Sequence, residues 1–236
     1  VQSLGLAQLA PFDPDKRVIE YAVRMPAPLA SMTVEGFVDE VSSNSPATGG
    51  GSTAALAGAL GAALVAMVAN LTVGKAGYES AWESASRLAE RAQALKADLM
   101  RAVDDDTRAF DDVLAAMRLP KGTEDEKTAR ATAIAAAYEK ATSVPLVTAR
   151  LCLQAIELAE DAARTGNRNS ISDGGVGALL AKAGLESALL NVRINLPSVR
   201  DGDFKKSTIA EIAELQAKSA GPLARTLAAV EAALKG

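Results

Sequence analysis

From about Thr33 to the end of the 236-residue chain, hydrophobic positions recur at intervals of three and four, the period of a helix and not of a strand. The longest such run spans about Tyr78 to Met117 without a proline or glycine. Along it, Leu88, Ala92, Leu95, Leu99, Val103, Asp106, Phe110, Val113 and Met117 share one face. Punctuation residues divide the rest. The pattern predicts a helix over Thr33 to Ser43, a loop over Asn44 to Ser52, an uncharged helix through Thr53 to Val73, and the long helix, ended by Pro120. Thr123 to Glu126 has capping-box spacing for a further helix, and Pro145 suits the first turn of the one after, which Gly166 ends. Asn167 to Asp173 reads as a polar loop, with Ser172 or Asp173 available to cap a helix from Gly174 to Asn195. Pro197 to Gly202 turns the chain into a last helix, Phe204 to Leu234.

The residues before Ser31 read differently. Ala10 to Pro14 forms a turn, Arg17 to Val23 a short strand-like run, and Arg24 to Pro28 a stiff linker. The expected organisation is therefore a linker and foreign segment over 1–30 and a helical domain over 31–236. The uncharged Thr53 to Val73 stretch is about as long as a bilayer requires. Its small residues Ala54, Gly58, Ala62 and Ala66, with Gly61 beside them, instead suit close helix approach. The expectation is a compact all-α domain with this Ala/Gly-rich helix buried at its centre or at the contact of a dimer.

Composition narrows the chemistry. With 49% hydrophobic but only 3% aromatic residues, the core is built from small aliphatic side chains, which disfavours a β-sandwich. A net charge of −4 and no basic stripe argue against a nucleic-acid partner. Cys152 is the only cysteine, which fits a reducing compartment such as the cytoplasm. The sequence contains no histidine, which removes serine-histidine and cysteine-histidine nucleophile pairs and HExxH zinc sites together. An acid or base here is drawn from Asp, Glu, Lys or Tyr.

Asp106 is the odd carboxylate. Arg101 and Asp105, Asp104 and Arg108, and Arg108 and Asp112 stand four apart as ordinary surface pairs, whereas Asp106 falls on the apolar stripe with Ala102, Val103, Ala109 and Phe110 at the same offsets. An inward carboxylate is costly unless it is hydrogen-bonded, lines a cleft or takes up a proton. Those conditions also tune a catalytic group. An arginine or an N–H cap from another helix would equally account for it, and both readings stay open here. Gly49, Gly50, Gly51 and Ser52 stand before a helix and can hold an anion or a polar ring edge, or can simply turn the chain. No lysine follows in P-loop register. Asn191 and Asn195 share a helix face, for cross-helix bonds or for a ligand.

Taken in order, these segments resemble the cyclodeaminase half of the formiminotransferase-cyclodeaminase family and its relative, the stand-alone methenyltetrahydrofolate cyclohydrolase. The matching text is Phe37 to Val41, Gly49 to Ser52 with its small-residue helix, Leu71 to Lys75, and Val103 to Phe110. It continues in Leu119 to Lys121, Val144 to Leu146, Gly166-Asn167, Ser170 to Asp173, and Asn191 to Leu196. Leu4 to Leu6, Leu9 to Pro14 and Arg17 to Tyr21 look like the tail of a formiminotransferase domain. Thr48 departs from the proline usual in the family before the glycines.

The resemblance implies an all-helical dimer with folate bound near the subunit contact, and Asp106 as the catalytic acid-base group. It implies cyclodeamination of 5-formiminotetrahydrofolate to 5,10-methenyltetrahydrofolate with loss of ammonia, a step of histidine degradation. Methenyltetrahydrofolate hydrolysis is the alternative, and a non-enzymatic helical oligomer a second one. Folate, polyglutamylated or not, is then substrate, and neither metal nor cofactor is called for. Substrate contacts are expected from Gly49, Gly50, Gly51, Ser52, Asn167, Ser170, Ser172, Asp173, Asn191 and Asn195, with Lys75, Lys121 or Arg193 meeting a carboxylate.

Overall fold

A computed structural model describes residues 28–45 and 48–235. The strand-like run at 17–23 and most of the proline linker lie outside those residues. Every regular element among the described residues is helical: α1 (Val34–Ser42), α2 (Gly50–Asn70), α3 (Trp82–Met117), α4 (Glu124–Thr165), α5 (Ile171–Asn195) and α6 (Gly202–Leu234), joined by short 3-10 turns.

The helix starts follow local chemistry. The Thr33 hydroxyl accepts from the Gly36 N–H at 3.0 Å and opens α1. Thr123 and Glu126 close the expected capping box on α4, the Thr123 N–H donating to Glu126 Oε2 at 2.9 Å. Asp201 Oδ1 caps α6, accepting from the N–H groups of Asp203 and Phe204.

Three expected boundaries are corrected. The uncharged helix α2 runs from Gly50 to Asn70, so Gly50, Gly51 and Ser52 form its first turn and not a loop before it. Pro145 does not begin a helix: α4 runs unbroken through it for 42 residues. Nor do Ser172 and Asp173 cap α5, which starts at Ile171, so both sit in its first turn. The cap residue in that region is Asn167, whose Oδ1 accepts from the Asn169 N–H at 3.1 Å and opens a 3-10 turn. The expected surface pairs also shift partner. Arg108 binds Asp105 three residues back, Arg101 binds Asp98, Asp112 binds Lys140 of α4, and Asp104 Oδ1 accepts from the Ala30 N–H.

The core is a bundle in which α2 packs on α3, α4 and α5, and α4 also packs on α3 and α5; α6 lies outside against α4 and α5. Alanines at the contacts let the axes approach, and glycine is required where α2 crosses α5. A Cβ on Gly61 would stand 2.7 Å from the Gly177 carbonyl oxygen, and one on Gly177 would stand 3.0 Å from the Gly61 carbonyl oxygen. Both α2 and the α5 segment are long and apolar enough to cross a membrane, yet most of the apolar window of α2 is buried inside the bundle.

Helices α3 and α4, about 54 and 63 Å long at 1.5 Å per residue, outreach α2, at about 32 Å. They continue together past its first turn around a small core of Ala109, Val113, Ala116, Ala137 and Ala141. The inward stripe of α3 therefore leaves the main core where α2 begins, and Asp106 sits at that step. The 3-10 turn Leu29–Ser31 packs on α3, with Leu29 buried beside Phe37, Ala55, Ala102 and Val103.

Candidate functional site

Where α2 begins, a cleft of about 240 Å³ opens between α2, α3, α4 and α5. Gly49, Gly50 and Gly51 form one wall, Asp106, Ala109 and Phe110 a second, and Ala141, Asn191, Ile194 and Asn195 the rest.

Asp106 stands under the positive end of α2. A Cβ on Gly51 would lie 2.0 Å from Asp106 Oδ1, so the carboxyl occupies the space that any larger residue would need. Ser52, wholly buried, donates its hydroxyl to the Val103 carbonyl at 2.9 Å, with Asp106 Oδ2 and Thr107 Oγ1 each at 3.3 Å. That hydroxyl carries one proton for the Val103 carbonyl and the Asp106 carboxyl, and the Thr107 hydroxyl can donate to it or accept from it. When Asp106 is ionised the proton turns to it; when Asp106 is protonated, the Ser52 hydroxyl bonds Val103 and accepts from the carboxyl.

Burial raises the proton affinity of Asp106 above that of an ordinary aspartate, and the hydroxyl and main chain of Ser52 pull it only part of the way back. Of the structural partners open for Asp106, no arginine pairs with it among the described residues, while the main chain of Ser52 at the start of α2 supplies a cap; the catalytic reading stands open beside that one. Cys152 is no competing nucleophile: burial pushes its thiol up to about 12.

The two asparagines are anchored through nitrogen. Asn191 Nδ2 donates to the Ser187 carbonyl at 2.9 Å, and Asn195 Nδ2 donates to the Ala141 carbonyl of α4 at 2.8 Å. A carbonyl only accepts, so each partner fixes which end of the amide faces it. Both residues line the cleft, and neither Oδ1 has a protein donor among the described residues. Phe110, 37% exposed, and Ile194, 75% exposed, supply apolar walls. Phe110 lay on the stripe with Asp106; Ile194 is an aliphatic side chain on the face of the two asparagines; nothing in the sequence pointed to Ala141.

The remaining candidates lie elsewhere in the chain. Asn167 joins the far end of α2 to α5: its N–H donates to Thr72 Oγ1 at 2.8 Å and its Nδ2 to the Leu71 carbonyl at 3.2 Å. Ser170 is buried behind it, donating to the Asn167 carbonyl at 3.0 Å. Ser172, Asp173 and Lys75 are at that same end, about 30 Å along α2 from Asp106. Lys121 is exposed in the α3–α4 turn, and Arg193 turns outward to Gln216. Thr48 donates to Glu40 Oε1 at 3.3 Å, tying the glycine loop to α1.

Comparison with known proteins agrees with this architecture. The family model described as Formiminotransferase-cyclodeaminase matches residues 33–214. A methenyltetrahydrofolate cyclohydrolase of Methylorubrum extorquens is 44% identical over 79% of this chain and 90% of its own length. The mouse formimidoyltransferase-cyclodeaminase is 39% identical over 98% of this chain, which spans 43% of that longer protein. The crystal structure of a formiminotetrahydrofolate cyclodeaminase from Thermotoga maritima superimposes with a TM-score of 0.78 at 29% identity, covering 86% of this chain and 98% of that one. On the order of its helices and on these matches, the chain belongs to the formiminotransferase-cyclodeaminase family, as its cyclodeaminase-type domain.

Proposed function

We propose that this domain converts 5-formiminotetrahydrofolate to 5,10-methenyltetrahydrofolate and ammonia, with Asp106 carrying the proton. The observation that supports this most is charge. The cleft lining holds one formal charge, the Asp106 carboxyl, while the formiminium substrate and the methenyl product are both cations. As N10 attacks the formimino carbon, forming the new carbon–nitrogen bond, its proton passes to Asp106. The same carboxyl returns the proton to the amino group, the bond from carbon to that nitrogen breaks, and ammonia leaves with the cation on the methenyl bridge. A carboxyl whose proton affinity is raised by burial is suited to both taking and returning a proton.

The mouse alignment, which takes in most of the residues before 33, supports this reading and the assignment of that segment to the tail of a transferase domain. A second reading, in which Asp106 draws a proton from water to open methenyltetrahydrofolate, is favoured by the bacterial cyclohydrolase relative. Supplying each substrate in turn to the purified domain and following methenyl absorbance separates them. The proposal expects a larger kcat/KM with 5-formiminotetrahydrofolate, and a larger value for methenyl opening would replace it.

The proposal includes a homodimer in the cytoplasm. Leu60 of α2, 49% exposed, and Leu179 and Leu190 of α5, 50% and 62% exposed, are large hydrophobic side chains left open on two helices that pack together, and α2 itself carries no charge. A second copy is the self-complementary cover for such a surface. Light scattering at micromolar concentration is expected to give twice the chain mass, and a monodisperse monomer would remove the contact.

A further inference from the structure

A proline inside a helix has no N–H to give the carbonyl four residues earlier. In α4 that carbonyl is Ala141, part of the cleft wall. The Asn195 amide of α5 fills the vacancy, Nδ2 donating to the Ala141 oxygen at 2.8 Å. With its nitrogen committed there, Asn195, itself part of the cleft lining, has its oxygen left over without a protein donor among the described residues. Asn191 presents a second such oxygen one helical turn away.

We propose that Pro145 is a positioning residue: by leaving the Ala141 carbonyl without a helical donor, it orients the Asn195 amide so that its oxygen accepts a hydrogen bond from an N–H on the edge of a planar nitrogen heterocycle. This deepens the folate reading and rests on it for the identity of the heterocycle, but not for the geometry. An alanine at 145 would restore the helical N–H donor to Ala141, and the Asn195 amide would lose its fixed partner. The proline therefore acts on ligand recognition through α5, and is not itself among the residues that line the cleft.

The test is a double-variant cycle read as KM against kcat. Asn195→Ala is expected to raise KM roughly two- to tenfold, the scale of one hydrogen bond between neutral groups, with kcat nearly unchanged. Pro145→Ala is expected to raise KM by a similar factor in the wild-type background and to have no further effect in Asn195→Ala. Factors that multiply in the double variant, or an unchanged KM in a folded Pro145→Ala protein, would overturn the proposal.

A second measurement needs no substrate. The side-chain amide protons of Asn195, assigned by their loss in Asn195→Ala, should exchange slowly in the wild type and rapidly in Pro145→Ala. Equal exchange in both would overturn the proposal even if the domain turned out to act on another molecule. Slow exchange released by Pro145→Ala, with no folate turnover, would leave it standing and sink only the folate reading. If Pro145→Ala does not fold, fast exchange of the Asn195 amide in the wild type still overturns it.

Discussion

Asp106→Asn should lower turnover by about a hundredfold or more while leaving the fold intact and folate still able to bind, because asparagine keeps the shape and the hydrogen bond to Ser52 but cannot carry the proton. Its stability should equal or exceed that of the wild type at neutral pH. The sign follows from proton binding. Burial raises the folded-state affinity of Asp106 above its unfolded value near 3.8, so across the interval between the two the native state holds more protons than the unfolded one. Stability then falls as pH rises through that interval, and asparagine removes the penalty. Asp105→Asn, an exposed partner of Arg108, is the control, with turnover and melting temperature close to wild type. Thermal melts and steady-state kinetics on the three proteins check this, and an Asp106→Asn enzyme with more than about a third of wild-type activity would remove the acid-base assignment.

Gly51→Ala should be nearly as damaging, for a steric reason. The added Cβ would stand 2.0 Å from Asp106 Oδ1, 2.3 Å from Cγ and 2.4 Å from Oδ2, so either the carboxyl or the first turn of α2 must retreat by about 1 Å. A displacement of that size at a reacting group costs on the order of a hundredfold in rate. Overpacking also costs about 1–3 kcal/mol, which in a domain of this length lowers the melting temperature by several degrees. Circular dichroism should show unchanged helix content alongside the lost turnover. Full activity in Gly51→Ala would mean that the carboxyl works from a place other than the one beneath Gly51.

Much of this was legible in the residues, because an amphipathic helix writes its period into the chain. Asp106 could be singled out from α3 alone: its neighbours at three and four are apolar, and no charge on its own helix can meet it. The α4 capping box and the Gly166 stop were equally local. The misread helix boundary has one cause, a partner distant in sequence. Pro145 looked like a start because no local signal shows that Asn195, 50 positions later, takes up the carbonyl it frees. The Asn167 to Asp173 segment has the residue types of a binding loop, and what the sequence did not show is its place, which the bonds of Asn167 to Thr72 and Leu71 fix at the far end of α2 from Asp106. Ser52 was expected to touch substrate, and its burial beneath Asp106 turns it toward the carboxyl instead.

The role proposed for Asp106 is to move the proton that leaves with ammonia. The most direct measurement follows methenyl formation and ammonia release in the same reaction from 5-formiminotetrahydrofolate, with wild type and Asp106→Asn side by side. The expected result is one ammonia per methenyl group in the wild type, with both signals slowed together by about a hundredfold or more in the variant. Equal rates in the two proteins, or methenyl formation without ammonia, would contradict it.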